Sequence, residues 1–503
     1  MSGGTLVGPG HLRPWCDRPL GWLVSQLGGI ALSSFPAYVA MLHSPLLGPR
    51  RRAKLARLRA RAAYAHARRT VPAYRDFLRT HGAFDARRFE QLPVMSKQNY
   101  IREYPLRATL QGGRWPRSGA VIDESSGSSG APTQWVRGSV ERAATQRLIQ
   151  YSSRATVGGE YILLNAFALG PWATGMNVSM AMVETSVVKS VGPDIDKLVH
   201  SLDVLGPEHR YVICGYPPFL KLLADDPRVD WDRYSITAVV GGEGMSEELR
   251  GHLGAAFSRV ISSFGASDLE INLALESDWS VALRQRLADE PALLERLIGR
   301  RDVLPMVFQY DPTQVFIENG EDDHLLFTLC RRENVSPRIR YDLEDCGRVQ
   351  SVRDVYRACH ELGVDISHLP RPRTELPVLL HWGREQHAVS FFGCNVVPEQ
   401  IQAALMRIGG LGDQAKEFAL RVYDDDRGDK RLEVVVELMA GAETEGAEVE
   451  GRFFDILADL NQDFRTARSM LPAALAPRLT LEPCGESRLS HQDARIKKRY
   501  VLQ

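Results

Sequence analysis

The sequence predicts an α/β protein. The expected form is a large N-terminal α/β domain with layered sheets and a small β-barrel-like unit, then a small, mobile C-terminal α+β domain. Three observations carry this expectation. Between residues 161 and 264, compact apolar runs are each followed by a glycine or proline turn and a helix-like stretch, the pattern of strands crossed over by helices. From 303 to 349 the texture changes to short β-rich runs separated by turn residues. Beyond about 383, strand-like and helix-like stretches mix again, over enough residues for a further domain. The expected boundaries are 1–383, with the β-rich unit at about 303–349, and 384–503.

Taken in order, Gly21 to Pro49 contains no Asp, Glu, Lys or Arg. Ser25, Gln26, Gly28, Gly29, Ser33, Ser34 and Pro36 interrupt it, so it falls short of the roughly 20 predominantly apolar residues of a membrane span. It also lacks the compact apolar core of a signal peptide. It reads as a segment buried or covered by a partner. Peripheral membrane contact stays open, because Arg50, Arg51, Arg52, Lys54, Arg57, Arg59 and Arg61 follow. That run alternates with Ala and Leu and reads as the solvated face of a helix, predicted over 53–77 with a break at Pro72. Ser96 caps a short helix with Tyr100 and Ile101 on its apolar side. A strand at Ala120–Asp123 leads through a Ser/Gly stretch to a helix near Ser139. Strands follow at Tyr161–Ala166, Arg210–Cys214, Ile236–Val240 and Val260–Ser263. Ser246 is the expected cap of the helix after the third of these, with Glu247 and Glu248 where the helix dipole favours them. LPMVFQY, QVFIE, HLLFTLC and PRIRYDL make the β-rich unit. HAVSFFG, PEQIQAALMRI, ALRVYDD, RLEVVVEL and GRFFDILADLNQDF make the small domain.

Composition narrows the function classes. Hydrophobic residues are 44% of the 503 and charged residues 25%, which argues against wholesale disorder and a multi-span membrane protein. Lys and Arg number 62 against 62 Asp and Glu, so the broad basic surface of a dedicated nucleic-acid binder is not expected. The seven cysteines are odd in number and contain no CxxC pair. No disulfide framework or structural zinc is expected, and the reducing cytoplasm is the expected location.

The sharpest motif is Ser125-Ser126-Gly127-Ser128-Ser129-Gly130-Ala131-Pro132-Thr133. Small hydroxyl residues with two glycines can wrap a polyphosphate with backbone N–H and O–H donors; a flexible linker is the competing reading. The Gly-Lys-Ser/Thr ending of a Walker A loop is missing. Downstream, Gly241-Gly242-Glu243-Gly244 after a strand lets a flat base approach the backbone, unless it is only a tight turn. Ser263-Phe264-Gly265-Ala266-Ser267-Asp268 offers an aromatic for stacking, a hydroxyl for phosphate and a carboxylate for Mg²⁺. Arg340-Tyr341-Asp342-Leu343-Glu344-Asp345 offers carboxylates for ribose hydroxyls, and Gly383-Arg384 opens the third texture.

The order of these motifs resembles the adenylate-forming superfamily of acyl-CoA synthetases, adenylation domains and luciferases, and within it the phenylacetate–CoA ligases. ARRTVPAYRDFL with LPVMSKQNY, SSGSSGAPT, FGASD, RYDLED and GREQHAVSFFGCNVVPEQIQ carry the resemblance, from about residue 60 to the C-terminus. The resemblance implies ATP and Mg²⁺ as cofactors, with CoA as a possible acceptor. Ser125, Ser126, Gly127, Ser128, Ser129 and Gly130 would hold the β- and γ-phosphates. Gly242, Glu243 and Gly244 would line the adenine pocket, with Phe264 on the base and Ser263, Gly265 and Ala266 beside it. Ser267 would meet the α-phosphate, Asp268 the metal, Asp345 the ribose and Arg384 the ribose or the hinge. Phe167, Trp172, Gly175, Tyr216 and Pro217 would form the acid pocket, with core packing the alternative for Phe167 and Trp172. Lys497, with Lys498 or Arg495 behind it, would supply the adenylation cation; an exposed basic tail is the alternative.

The chain departs from the family pattern in places. Asp268 stands where Glu is usual, Glu344 where Gly is usual and Gln386 at the hinge, and the tail has no clear Gly-Lys motif. Segments 275–303 and 350–376 read as insertions. The expected function is an ATP-dependent, AMP-forming ligase acting on a small acid, aromatic by expectation. The expected partners are a small-molecule acid, without nucleic acid or an integral membrane span, and the oligomeric state stays open. A diazotase that activates nitrite for an aryl amine, and a nucleotide-binding scaffold without catalysis, are the alternatives.

Overall fold

A computed structural model of the chain describes residues 32, 34–124, 133–170, 173–301, 303–384, 389–391, 394–424, 430–442, 446–461, 464–465, 468–469, 476–490 and 500–502. Three helices open it: α1 (Phe35–Leu42), α2 (Pro49–Thr70) and α3 (Pro72–Thr80). Pro72 separates the last two by starting a new helix, where its missing N–H costs nothing. The arginine-rich α2 is only partly the solvated face that the sequence suggests. Arg52 and Arg59 are buried, donating to the carbonyls of Leu42 at 2.8 Å and Cys330 at 3.1 Å. Small residues explain this, because Ala56, Ala60, Ala63 and Ala67 are buried and let the helix lie close enough for the long stems to reach. Tyr38 of α1 is fully buried and donates to Asp311 at 3.2 Å, so the described part of the uncharged segment 21–49 is packed onto the body.

The hairpin β1 (Val121–Glu124) and β2 (Gln134–Arg137) leads into α4 (Ser139–Thr156). An alternating stretch follows: β3 (Ile162–Asn165), α5 (Ala173–Met182), β4 (Val187–Ser190), α6 (Ile195–Leu205), β5 (Arg210–Gly215), α7 (Pro217–Ala224), β6 (Ser235–Gly241), α8 (Glu247–Ala256) and β7 (Arg259–Phe264). The five strands are parallel, in the order β4-β3-β5-β6-β7. Ser246 caps α8 as expected, accepting from the Leu249 N–H at 3.1 Å.

The sheet then reverses direction. β8 (Ala274–Leu275) pairs antiparallel with β7. After α9 (Asp278–Asp289) and α10 (Pro291–Ile298) come β9 (Met306–Tyr310), β10 (Val315–Asn319), β11 (His324–Leu329), β12 (Tyr341–Gln350), α11 (Val352–Glu361) and β13 (Val378–Arg384). The sequence sets the β-rich run apart as an attached unit. In the structure its strands extend the same eleven-stranded sheet, in the order β10-β11-β12-β13-β9-β8-β7. Trp279, Leu283, Leu293, Leu297, Val355 and Cys359 pack α9, α10 and α11 into one cluster against Val378 and Leu380 of β13, so the segments read as insertions form a common helical layer.

Beyond β13, β14 (Val389–Phe391), β15 (Cys394–Val396), α12 (Pro398–Arg407), α13 (Leu411–Gln414), β16 (Ala415–Asp424), β17 (Lys430–Leu438), α14 (Gly446–Leu460), β18 (Arg478–Glu482) and β19 (Val501–Leu502) follow. Their main sheet has the order β18-β17-β16-β19 and a core of its own around Phe391, Ile401, Val434, Phe453 and Leu457. Among the described residues no helix is long and apolar enough to cross a membrane. Among the cysteines whose side chains are described, Cys214, Cys330, Cys346, Cys359 and Cys484, none forms a disulfide.

Candidate functional site

Two turns at the C-terminal ends of neighbouring parallel strands open onto one cleft. After β6, Gly242 has φ +86°, the left-handed region that favours glycine, and a Cβ there would lie 2.5 Å from a ring carbon of Tyr216. Tyr216, at the start of α7, meets Phe167 edge-on with centroids 5.2 Å apart. After β7, Gly265 passes so close to Ile271 that a Cβ would collide with its carbonyl oxygen. The cleft between the turns encloses about 830 Å³ of empty space, its open mouth included. Leu163, Phe167, Val178, Met182, Val212 and Ile261 give it apolar walls, and Gly241, Gly242, Ser263, Gly265, Ala266 and Ser267 form its glycine- and hydroxyl-bearing side.

A buried polar frame holds the second turn. The Arg137 guanidinium at the end of β2 donates to Asp123 at 2.7 Å and to the Ser267 carbonyl at 2.5 Å, and also reaches the Leu269 carbonyl. Asn177 on α5 donates to the same Asp123 at 3.2 Å. Arg137 therefore ties the β1–β2 hairpin to the Ser267–Leu269 turn. The residues either side of the Ser/Gly motif, Glu124 and Gln134, pair across that hairpin. The Asp268 carboxylate accepts from the Tyr341 hydroxyl at 2.8 Å, and its backbone carbonyl from Arg338 at 3.0 Å. Arg338 lies over the Trp135 ring at 4.8 Å; burial holds its pKa below the usual guanidinium range, with Tyr341 and Asp268 opposing the shift.

Among the described residues, no three His, Cys, Asp or Glu side chains stand together so as to enclose a metal. Magnesium characteristically keeps waters and phosphate oxygens and takes only one or two carboxylates. Asp268 fits that sparse role, since among the described residues its Oδ1 has a single hydrogen bond, from the Ser267 hydroxyl at 3.4 Å.

The other expected residues divide. Asp345 is buried on β12, 3.8 Å from His381 and paired through its backbone with Arg384, which is described by its backbone alone. Phe264 gives its ring to the core beside His381, Phe308 and Phe327, where the sequence reading expected it on a base. Phe167 lines the cleft. Tyr216 packs edge-on against Phe167, Pro217 starts α7, and Gly175 lets α5 approach the Ala168 carbonyl too closely for a Cβ. Glu344, the departure from glycine, has φ +65° and accepts that strained conformation with its N–H on Asp342 at 2.6 Å. Ser125, Ser126, Gly127, Ser128, Ser129, Gly130, Trp172, Arg495, Lys497 and Lys498 lie outside the described residues. Sequence reasoning missed Asp123, Arg137, Asn177 and Arg338, because each becomes a partner only when separate elements meet.

The small C-terminal unit touches the first turn directly. The Tyr500 hydroxyl donates to Glu243 at 2.7 Å, and a Cβ on Gly244 would lie 2.5 Å from the Glu399 carboxylate. Gln402 accepts from the Ser246 N–H at 3.2 Å, and Arg407 donates to Glu248 at 2.6 Å. Burial, and after it the Glu243 charge, push the Glu399 pKa up. Tyr500→Phe removes the neutral donor that stands with these two carboxylates. It is expected to weaken the contact by about 2 kcal/mol, as for a hydrogen bond to a charged group. Faster limited proteolysis between the units checks this, and an unchanged cleavage rate contradicts it.

No family model matches the sequence, and no curated protein matches it either. Solved structures do. A 2-hydroxyisobutyryl-CoA ligase in the postadenylation state, holding an acyl-AMP, aligns with a TM-score of 0.63 at 15% identity over 90% of this chain and 89% of that one. The same ligase in its thioesterification state, with 2-HIB-AMP and CoA, aligns at 0.52 and 16% identity over 91% and 90%. An anthranilate CoA ligase in complex with anthranoyl-AMP aligns at 0.50 and 13% over 84% and 74%. At such identities the likeness is one of fold, and the fold of this chain is that of the adenylate-forming acyl-CoA ligases.

Proposed function

We propose that the chain is an ATP-dependent, AMP-forming ligase for a small acid with an apolar, aromatic-sized body. The observation that carries the proposal is that the Gly241–Gly242 and Gly265–Ser267 turns open onto one apolar cleft. Glycine turns give a nucleotide close approach to backbone donors, while the cleft suits a compact carbon body. The acid's carboxylate oxygen would attack the α-phosphorus of ATP. The new O–P bond forms as the bond to pyrophosphate breaks, leaving an acyl-AMP. Negative charge builds on phosphate oxygens in that step, so fixed donors and a cation lower the barrier. Magnesium, when bound, neutralises phosphate charge; from this chain Asp268 would hold it, Ser267 would donate to the α-phosphate and Ser125–Gly130 to the other phosphates.

Residues 1–383 would form the nucleotide- and acid-binding domain and 384–503 a lid that brings the cation, Lys497 first and Lys498 or Arg495 next. Asp345 and Arg384 would serve the ribose and the hinge. Transfer to CoA is the proposed second step; the CoA and acyl-AMP found in the ligases of the same fold support it. Phenylacetate–CoA ligase-like chemistry in secondary metabolism, in the cytoplasm, is the finer reading.

Magnesium-dependent exchange of labelled pyrophosphate into ATP, screened over aryl acids, amino acids and nitrite, tests the reaction. Exchange with an acid supports the ligase. Exchange or product formation with nitrite plus an aryl amine replaces it with a diazotase. No exchange, with ATP bound, makes the chain a scaffold. Lys497→Ala is expected to slow exchange roughly 100-fold or more, the usual scale for losing one charge-stabilising group; normal exchange would remove Lys497 from the mechanism.

A further inference from the structure

The wall of the cleft built by α4 and the β7–β8 connection carries a polar atom without a partner. Asn272 is 7% exposed and donates its Nδ2 to the Ser152 hydroxyl at 3.4 Å. Its Oδ1 is buried and has no hydrogen bond among the described residues. Both residues line the cleft, together with the apolar Ile149, Val157, Leu163 and Val178. A second cavity, with about 850 Å³ of empty space, shares Ser152, Asn272 and Leu275 with the first. Asn272 therefore lies in the wall where the two spaces adjoin. Buried acceptors are satisfied in folded proteins as a rule, because leaving one unmet costs its full desolvation.

We infer that Asn272, held by Ser152, determines specificity for the acid: the substrate has an apolar body and a hydroxyl or amino donor that Oδ1 accepts. The inference rests on the cleft being the acyl site. Nδ2 gives one of its two N–H donors to Ser152, and Oδ1, an amide oxygen, can only accept. A hydroxyl or amine satisfies it, whereas hydrogen, methyl or methoxy at the same position leaves it unmet. Apolar walls separate a methyl from a hydrogen only weakly. A site built to hydrogen-bond a hydroxyl rejects the analogue lacking it far more strongly.

The test is pyrophosphate exchange by the full chain with matched acids. Benzoates carrying hydroxyl, amino, methyl or methoxy at each ring position are compared, together with hydroxyl/methyl pairs of short branched aliphatic acids. The best acid is expected to carry hydroxyl or amino and to exceed its methyl isostere by about tenfold or more in kcat/KM. In Asn272→Leu that ratio falls to near unity. If Asn272→Leu does not fold, Ser152→Ala, which unties the amide, is expected to shrink the ratio by a smaller factor. Equal use of the methyl isostere by the unaltered chain overturns the inference without any variant. Equal use of the methoxy acid overturns it too, since a pure acceptor would then be recognised. If no acid supports exchange while ATP binds, the ligase reading has failed. The same pairs are then compared by titration calorimetry. Tighter binding of the donor-bearing member, lost in Asn272→Leu, upholds Asn272 as the recognition group. Equal affinities, or no binding, overturn it.

Discussion

Gly265→Ala is expected to abolish pyrophosphate exchange and to cost about 3 kcal/mol of stability, the upper range for overpacking a site that cannot give. The added Cβ would meet the carbonyl of Ile271 and lie 2.9 Å from that of Glu270. Both are backbone atoms, and the segment has little room to retreat. Ala266 donates its N–H to the Glu270 carbonyl at 2.9 Å, and Leu273 to that of Phe264 at 2.8 Å. The Glu270 side chain is paired with Arg331, both fully buried. A shift large enough to admit one methyl group therefore moves Ser267, Asp268 and Asn272 together. Gly254→Ala on α8 is the control, because nothing lies within 4 Å of a Cβ there. It is expected to be neutral or to gain up to about 1 kcal/mol from helix propensity. Chemical denaturation and exchange assays on the pair check both, and equal midpoints for the two variants would remove the close approach from the argument.

Arg137→Met should be nearly as damaging, with a loss of about 3–5 kcal/mol, the range for removing one partner of a buried ion pair. The side chains of Arg137 and Asp123 are 8% and 7% exposed. Loss of the guanidinium strands the Asp123 carboxylate with Asn177 alone and releases the Ser267 and Leu269 carbonyls. The double variant Arg137→Met/Asp123→Asn separates these consequences. It removes the stranded charge and should recover about half of the stability, whereas exchange should stay low because the Ser267 turn is still untied. Recovery of both would make Arg137 a purely structural partner of Asp123.

The alternating part of the fold was legible because each apolar run is short and ends in a turn residue. Arg210–Gly215 and Ser235–Gly241 fall within a residue or two of the expected strands. Local chemistry also placed the caps at Ser96 and Ser246, whose hydroxyls accept from the N–H three residues on. What the sequence could not show is how distant strands join. Nothing local to Met306–Tyr310 says that its neighbours are Ala274–Leu275 on one side and Val378–His381 on the other, so the β-rich run read as a separate unit. The site follows the same rule. The glycine turns were visible, because a close approach demands the one residue without a Cβ. Arg137 and Asn272 were not, since an arginine after a strand and an asparagine after an apolar turn are ordinary until Asp123 and Ser152 stand beside them. Phe264 was ambiguous in kind: an aromatic beside glycine suits a base and a core equally, and here its ring packs beside Phe308, Phe327 and His381.

The late arrival of β13 in the sheet has a consequence for how the chain is made. β9 leaves the ribosome some seventy residues before the strand that covers its open edge, so a ladder of unpaired N–H and C=O groups waits while β10 to β12 and α11 are completed. Exposed edges of this kind recruit strands from other chains, and pairings far apart in sequence form slowly. Synthesis halted between β12 and β13 should therefore yield aggregates, and a chaperone that shields strand edges should raise the yield of full-length protein more than it raises its thermal midpoint.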